Sequence, residues 1–503
     1  MTAKTLMVLG SMSSAGKSLL VTALCRIYAR RGVRVVPFKA QNMSNNAAVC
    51  PDGGEIGRAQ ALQAASAGLT PHVDMNPVLI KPEGDSRSQV ILMGRPWSTL
   101  QAKTYYEKKA ILWDYITAAF DRLRNTYDLV VIEGAGSPVE LNLKGGDIVN
   151  MAVACYARSP ALLVGDIDRG GIFAQLIGTL WLLEPEERRL VRGLVVNKFR
   201  GDITLFTDGI QILEEKGNVP VLGVIPYLWG LNLPDEDAVS VEQAVQTSTP
   251  AGLVDLAIIA FPRIANFDDF DPIKAEPGVN VRYVRSPTEL GQPNAILLPG
   301  TKSTLADLEW LQQIGLADSV RAFAHSGGSV VGICGGYQML GTRIDDPQHV
   351  ESQLDTFAGL NLLPSFTQFQ SEKATFQSQA IITAGKGWME HLEGMVLNGY
   401  EIHMGVSSDT TAWLKVTQRN GQPAQIPDGG ISPDGKIWGC YLHGIFANDL
   451  FRRAWLESLG WSAGLRKITQ AEDFQRSLDT LADKVENALN MKLLDQIIWE
   501  DKI

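Results

Sequence analysis

The chain has 503 residues, 45% hydrophobic and 20% charged, which is material for about two to four domains and lacks the weakly apolar, highly charged signature of disorder. Its 55 Asp and Glu against 45 Lys and Arg give a net charge of −10 with no basic run, so nucleic acid is excluded as an expected partner. No stretch approaches the roughly 20 apolar residues of a membrane span, the first ten residues read as a strand rather than a leader, and five scattered cysteines without CxxC spacing fit a reducing, cytoplasmic setting.

From Thr5 to Pro226, short apolar runs (LMVLG, VRVVPF, DLVVIEG, ALLVGDI, GLVVNKF, VLGVIP) alternate with longer helical patterns. Buried strands separated by helices predict a parallel sheet covered on both faces. The first helix carries Leu20, Leu24, Ile27 and Tyr28 on one side and ends at Arg30, Arg31 and Gly32. The acidic, Ser/Thr- and Pro-containing stretch 236–251 reads as a linker between a first domain, 1–235, and a second, 252–452. That second domain repeats the alternation with LVDLAIIAF, VNVRYV, AILLPG and SVVGICGG, and 453–503 reads as a helical C-terminal segment with Leu478, Leu481, Val485, Leu489, Leu493, Ile497 and Ile498 on one stripe.

The strand LMVLG runs through Gly10-Ser11-Met12-Ser13-Ser14-Ala15-Gly16-Lys17-Ser18 straight into a helix. Small residues let backbone N–H groups and the helix N-terminus face phosphate oxygens. Lys17 adds a point charge for the β/γ-phosphates and Ser18 a hydroxyl for Mg²⁺, so the loop, with Gly10, Ser13, Ala15 and Gly16, is read as an ATP site. Five residues rather than four separate Gly10 from Gly16, a spacing similar to the dethiobiotin-synthetase-like branch of nucleotide-dependent ligases. Met12 stands where ParA-like and MinD-like ATPases place a second lysine, against a dimerising switch. Glu133, at the end of DLVVI, is a second metal candidate; Asp166 and Asp168 with Arg169, and Asn197-Lys198, end other strands, Asn197 as a purine contact.

In the second domain, Gly332-Ile333-Cys334-Gly335-Gly336 joins a strand to a helix, the sharp turn that exposes a nucleophilic sulfur at a helix N-terminus. Cys25, Cys155 and Cys440 read as small buried hydrophobes. His443 is the expected base and His403 its rival; Gly300, in the strand-following LPGTKST loop, and Gly335 are the expected oxyanion donors.

These segments, together with VPFKAQNMSNNA, GGEIGRAQALQA, MNPVLIKP, VGDIDRGGIFAQLIGTL and GYEIHMG, resemble one family over nearly the whole chain: the glutamine-hydrolysing adenosylcobyric acid synthases of cobalamin biosynthesis. The resemblance implies an α/β fold: an N-terminal P-loop, dethiobiotin-synthetase-like parallel-sheet domain joined to a class I glutamine amidotransferase-like α/β domain with a helical tail. It implies ATP- and glutamine-dependent amidation of the b, d, e and g carboxylates of adenosylcobyrinic acid a,c-diamide, with Cys334 as glutaminase nucleophile and His443 as base. Class I enzymes usually carry Glu two residues after that His; Ile445 stands there, so the third member is unassigned, and Ser11 replaces a common Thr. Lys39, Gln41, Asn42, Lys81 and Arg169 are expected contacts for corrinoid carboxylates or phosphates, and a homo-oligomer is left open. The competing readings are an a,c-diamide synthase or another carboxylate amidase, and a nucleotide-dependent regulator whose second domain only binds a ligand.

Overall fold

The computed structural model describes residues 2–83, 87–234, 254–352, 354–408, 411–462 and 469–500; the expected linker, 236–251, lies outside the described residues. The apolar runs of the first half form β1 (Lys4–Gly10), β2 (Val35–Phe38), β3 (Leu129–Glu133), β4 (Ala161–Asp166), β5 (Val191–Phe199) and β6 (Val221–Pro226). They pair in the order β6-β5-β4-β1-β3-β2, every pair parallel. Strands this uniformly apolar need cover on both faces. One face receives α1 (Lys17–Arg30), which leaves β1 through the small-residue loop, and beside it packs α2 (Arg58–Ser66).

The second half builds another six-stranded sheet from β7 (Val254–Ile259), β8 (Val279–Val284), β9 (Ala295–Leu298), β10 (Ser329–Ile333), β11 (Gly430–Ile431) and β12 (Ile437–Cys440), ordered β8-β7-β9-β10-β12-β11. Only the β11–β12 pair is antiparallel. A short helix, α3 (Gly335–Leu340), turns away from the end of β10. In both sheets the loops that leave the C-terminal strand ends carry the chemistry-bearing residues, the position where open α/β sheets bind ligands.

Two smaller pieces have no counterpart among the elements expected from the sequence. Gln41–Met43, Val78–Pro82, Arg87–Leu92 and Arg95–Gln101 form a four-stranded mixed sheet between β2 and β3, and Phe366–Ile382 pairs with Val396–Ser408 in a long antiparallel ribbon. Their strands are short or carry polar residues through the run, so neither shows a clean period. Of the cysteines expected to be buried, Cys25 and Cys440 are, whereas Cys155 is exposed, on an amphipathic helix whose inward positions are taken by Met151, Val153 and Ala154. No helix among the described residues is long and apolar enough to cross a membrane.

The C-terminal stripe divides at Leu489 into α4 (Gln470–Ala488) and α5 (Met491–Trp499), because the Asn490 side chain caps α5 by accepting from the Leu493 N–H at 3.1 Å. Both helices return to the first domain. Leu481, Val485, Leu494, Ile497 and Ile498 join Leu20, Leu24, Ile27 and Tyr28 in one core, and Arg26–Asp479 (2.9 Å), Arg30–Asp483 (2.7 Å) and Arg31–Glu486 (2.6 Å) line its solvent edge. The approach is closest at Gly223 in β6, where a Cβ would lie 2.1 Å from the Ala488 carbonyl oxygen. Gly223→Ala therefore forces backbone apart, and overpacking of this kind costs about 1–3 kcal/mol. The expected result is a lower urea midpoint with an unchanged denaturant slope.

Candidate active sites

The phosphate-loop region is held from three sides. Gly16 has φ 97° and a Cβ on it would meet the Asn197 amide nitrogen at 2.0 Å, so any side chain here is strained and displaces Asn197. That amide nitrogen donates to the Ala15 carbonyl at 2.8 Å, and Lys198 donates to the Ser14 carbonyl at 2.7 Å and to Asp166 at 2.9 Å. Asn197, expected as a purine contact, thus gives one of its two amide hydrogens to the loop and also lines the cavity. The Lys17 ammonium lies 3.1 Å from both the Met12 and Gly136 carbonyls, across the loop mouth. Asp168 pairs with Arg200 at 2.6 Å and Arg169 with Asp166 at 3.7 Å.

Glu133 is fully buried at the end of β3. Its Oε1 accepts from the Ser18 hydroxyl at 2.8 Å and from Lys39 at 2.7 Å; its Oε2 accepts from Gln60 at 3.3 Å and from Gln63. Four donors compensate the desolvation that a buried carboxylate suffers. Gln60 and Gln63, both on α2, were not foreseen, because glutamine pairs at helical spacing carry no distinctive signal.

The loop opens into a cavity of about 1260 Å³ lined by Ser13, Gly16, Lys17 and Ser18, by Glu133 and Asn197, and by Lys39, Gln41, Asn42 and Arg169. Gly10 and Ala15 stand behind that wall, Gly10 with its Cα next to the Lys17 side chain. Of the residues expected to contact an anionic substrate, Lys81 is the exception. It is buried with Glu55 and Lys373, the latter 2.6 Å from Glu55, at the junction of the two domains. Burial alone would raise the Glu55 carboxyl, but Lys373 and Lys81 outweigh it and bring it down to about 2. The cavity wall includes six cationic side chains (Lys17, Lys39, Lys109, Lys144, Arg169, Lys198) and three acidic ones (Glu133, Glu140, Asp147), a locally positive chamber in an acidic protein.

The second centre lies at the end of β10. Cys334 has φ 53° and ψ −109°, a conformation unfavourable for a residue with a side chain and typical of an elbow that aims a nucleophile. The expected open presentation is not what the fold provides: Cys334 is 6% exposed and its sulfur donates to the Ile402 carbonyl at 3.4 Å. The strand Val396–Ser408 roofs it. His443 stands beside it, its Nδ1 donating to Asp269 at 2.7 Å, while the second Asp269 oxygen accepts from the Gly444 N–H at 2.8 Å. Burial, the largest influence, would lower the His443 imidazole, but Asp269 and Cys334 together outweigh it and raise it to about 10.

Asp269 fills the position that Ile445 leaves vacant in the chain-local pattern. It comes from the segment Asn266-Phe267-Asp268-Asp269-Phe270 after β7; acids flanked by two buried phenylalanines were the available sequence signal. The rival His403 is turned elsewhere. Its Nδ1 lies 2.7 Å from the Gly405 carbonyl, its ring stacks on Tyr441 at 3.9 Å, and burial pushes it down to about 3, leaving it neutral. Gly300 and Gly335 converge on the pair from two strand ends: a Cβ on Gly300 would lie 3.0 Å from His443 Cε1, and one on Gly335 would lie 2.8 Å from the Thr301 side chain.

Comparison with known proteins adds an independent line. A model described as "CobB/CobQ-like glutamine amidotransferase domain" matches residues 255–451, and one described as "CobQ/CobB/MinD/ParA nucleotide binding domain" matches residues 6–239. The chain is similar to a cobyric acid synthase of Chloroflexus aurantiacus, 56% identical over 99% of this chain and 100% of that one. It is also similar to those of Herpetosiphon aurantiacus, 54% identical over 100% and 99%, and of Moorella thermoacetica, 46% identical over 99% and 97%.

Proposed function

The chain belongs to the cobyric acid synthase family and is a glutamine-dependent amide ligase of cobalamin biosynthesis; we propose that its two centres divide the reaction between ammonia release and carboxylate activation. The observation that carries this division is the presence in one chain of a strained cysteine beside a His–Asp pair and of a lysine-bearing loop at the mouth of a cationic cavity.

In the second domain, Cys334 attacks the side-chain amide carbonyl of glutamine, its thiol proton being carried by His443 as the carbon–sulfur bond forms. The backbone N–H groups of Gly300 and Gly335 stabilise the oxygen of the tetrahedral intermediate, and His443, held protonated by Asp269, donates its proton to the leaving amine. Water then attacks the thioester with His443 as base, releasing glutamate and restoring the thiol.

In the first domain, a carboxylate has no adequate leaving group for ammonia. Transfer of the γ-phosphoryl group of ATP makes one: the carboxylate oxygen bonds to phosphorus, ADP departs, and ammonia later displaces phosphate from the acyl phosphate. Lys17 and the loop N–H groups bind the transferred phosphoryl oxygens. The Ser18 hydroxyl and the Glu133 carboxylate, 2.8 Å apart, are hard oxygen donors that fit Mg²⁺, which when bound supplies charge neutralisation on the phosphates. Lys39, Gln41, Asn42 and Arg169 line the wall where a polyanionic corrinoid would sit, whereas Lys81 serves the domain junction.

The substrate assignment is the b, d, e and g carboxylates of adenosylcobyrinic acid a,c-diamide. Incubation with ATP, Mg²⁺, glutamine and the a,c-diamide, followed by mass over time, is expected to show four successive amidations. A series that stops earlier, or an untouched a,c-diamide, overturns the assignment.

A further inference from the structure

One helix touches the surroundings of both centres. At its first residue, Arg58 ion-pairs with Asp268, the chain neighbour of Asp269, and its guanidinium lies 5.4 Å from the centre of the Tyr400 ring. Tyr400 stacks on His443 with ring centres 5.1 Å apart, and the two residues exchange backbone hydrogen bonds of 3.1 and 2.8 Å. Two and five residues further along the same helix, Gln60 and Gln63 hold Glu133, whose other oxygen faces Ser18 of the phosphate loop. At 1.5 Å per residue the two ends of this connection are about 7.5 Å apart along the axis. A second link runs nearby: the Ala47 N–H donates to the Asn266 side chain at 3.0 Å, and the amide nitrogen of that side chain lies 3.5 Å from His443 Nε2.

We propose that Arg58 is a positioning residue for glutamine hydrolysis and that α2 conveys the state of the phosphate-loop site to His443. The proposal rests on the division of labour given above. A hard cation at Ser18 and Glu133 competes with Gln60 and Gln63 for the carboxylate that they now hold. A two-turn helix has no internal joint to absorb the adjustment, so it moves as a unit. Its first residue then shifts Asp268 and, through the adjoining peptide, the Asp269 carboxylate that orients His443. Ammonia release is thereby tied to the presence of the nucleotide that makes ammonia useful.

The test is the rate of glutamate release with and without ATP and Mg²⁺, measured beside ammonium-dependent amidation of the a,c-diamide. For the unaltered protein, ATP and Mg²⁺ are expected to raise glutamate release about 5- to 100-fold, the usual span of coupling between sites. Arg58→Ala, and independently the isosteric Asp268→Asn, should bring that ratio near 1 while ammonium-dependent amidation stays within about twofold, and Arg58→Lys should restore part of the ratio. A ratio that persists in both variants, a ratio of 1 in the unaltered protein, or a parallel fall of ammonium-dependent amidation overturns the proposal. If the unaltered protein lacks either glutamine hydrolysis or ammonium-dependent amidation, the division of labour fails as well; if it has both and only the ratio is insensitive to Arg58, the coupling alone fails.

Discussion

Cys334→Ala is expected to lower glutamine-dependent amidation by at least about 10⁴-fold, the order seen when a covalent nucleophile is removed, while leaving amidation from ammonium salts intact. The separation is physical. Cys334 sits at the end of β10 in the second sheet, roofed by the strand Val396–Ser408, and no atom of it lines the cavity that opens from the phosphate loop. Loss of the sulfur leaves the strained elbow backbone as it was, so the fold should persist. Parallel assays of the variant with glutamine and with ammonium chloride decide the matter; loss of both activities would mean that the sulfur serves the ligase step.

Asp269→Asn should reduce glutamine hydrolysis by between about 10² and 10⁴, because the imidazole loses its charge partner and, with the Gly444 N–H on the one acceptor oxygen an amide keeps, the acceptor that orients its ring. The pH dependence follows from the same pair. In the native protein His443 is raised to about 10, so it remains protonated through neutrality; without Asp269, burial draws it down and the alkaline limb of hydrolysis moves to lower pH. Stability responds with a definite sign. The folded value exceeds the unfolded one, near 6.5, so the stabilisation is fully present below about pH 6.5 and is lost as pH rises through about 10. Urea midpoints of the native protein and the Asn variant should therefore differ most at pH 6 and converge toward pH 10. A constant difference across that range would contradict the charge pairing.

What could be read from the chain itself was what is local. The phosphate loop and the cysteine elbow each compress strand, turn and helix into about ten consecutive residues, so spacing alone identifies them. Most strands of the two parallel sheets were equally legible, since short uninterrupted apolar runs between helical patterns are the mark of strands buried on both faces, whereas those of the mixed sheet and the ribbon were not. Legibility failed wherever partners are remote. Asp269 is 174 positions from His443, and the local expectation of a Glu after that His pointed to a place where this chain has Ile445. Lys81 carries the same charge whether it faces a substrate or Glu55, and only the fold shows that it belongs to the junction with Lys373. The tail was recognised as helical, yet an apolar stripe does not say which surface it covers.

That surface bears on how the polypeptide is made. Residues 470–499 fill a core whose other half is α1, near the opposite end of the chain. During synthesis the nucleotide-binding half emerges first, but its sheet keeps one apolar flank bare until residues 470–499 have been made. The amidotransferase half has all its strands by then, so the domain that starts first is finished last, and a ribosome stalled before residue 470 would leave a nascent chain whose exposed flank invites chaperones.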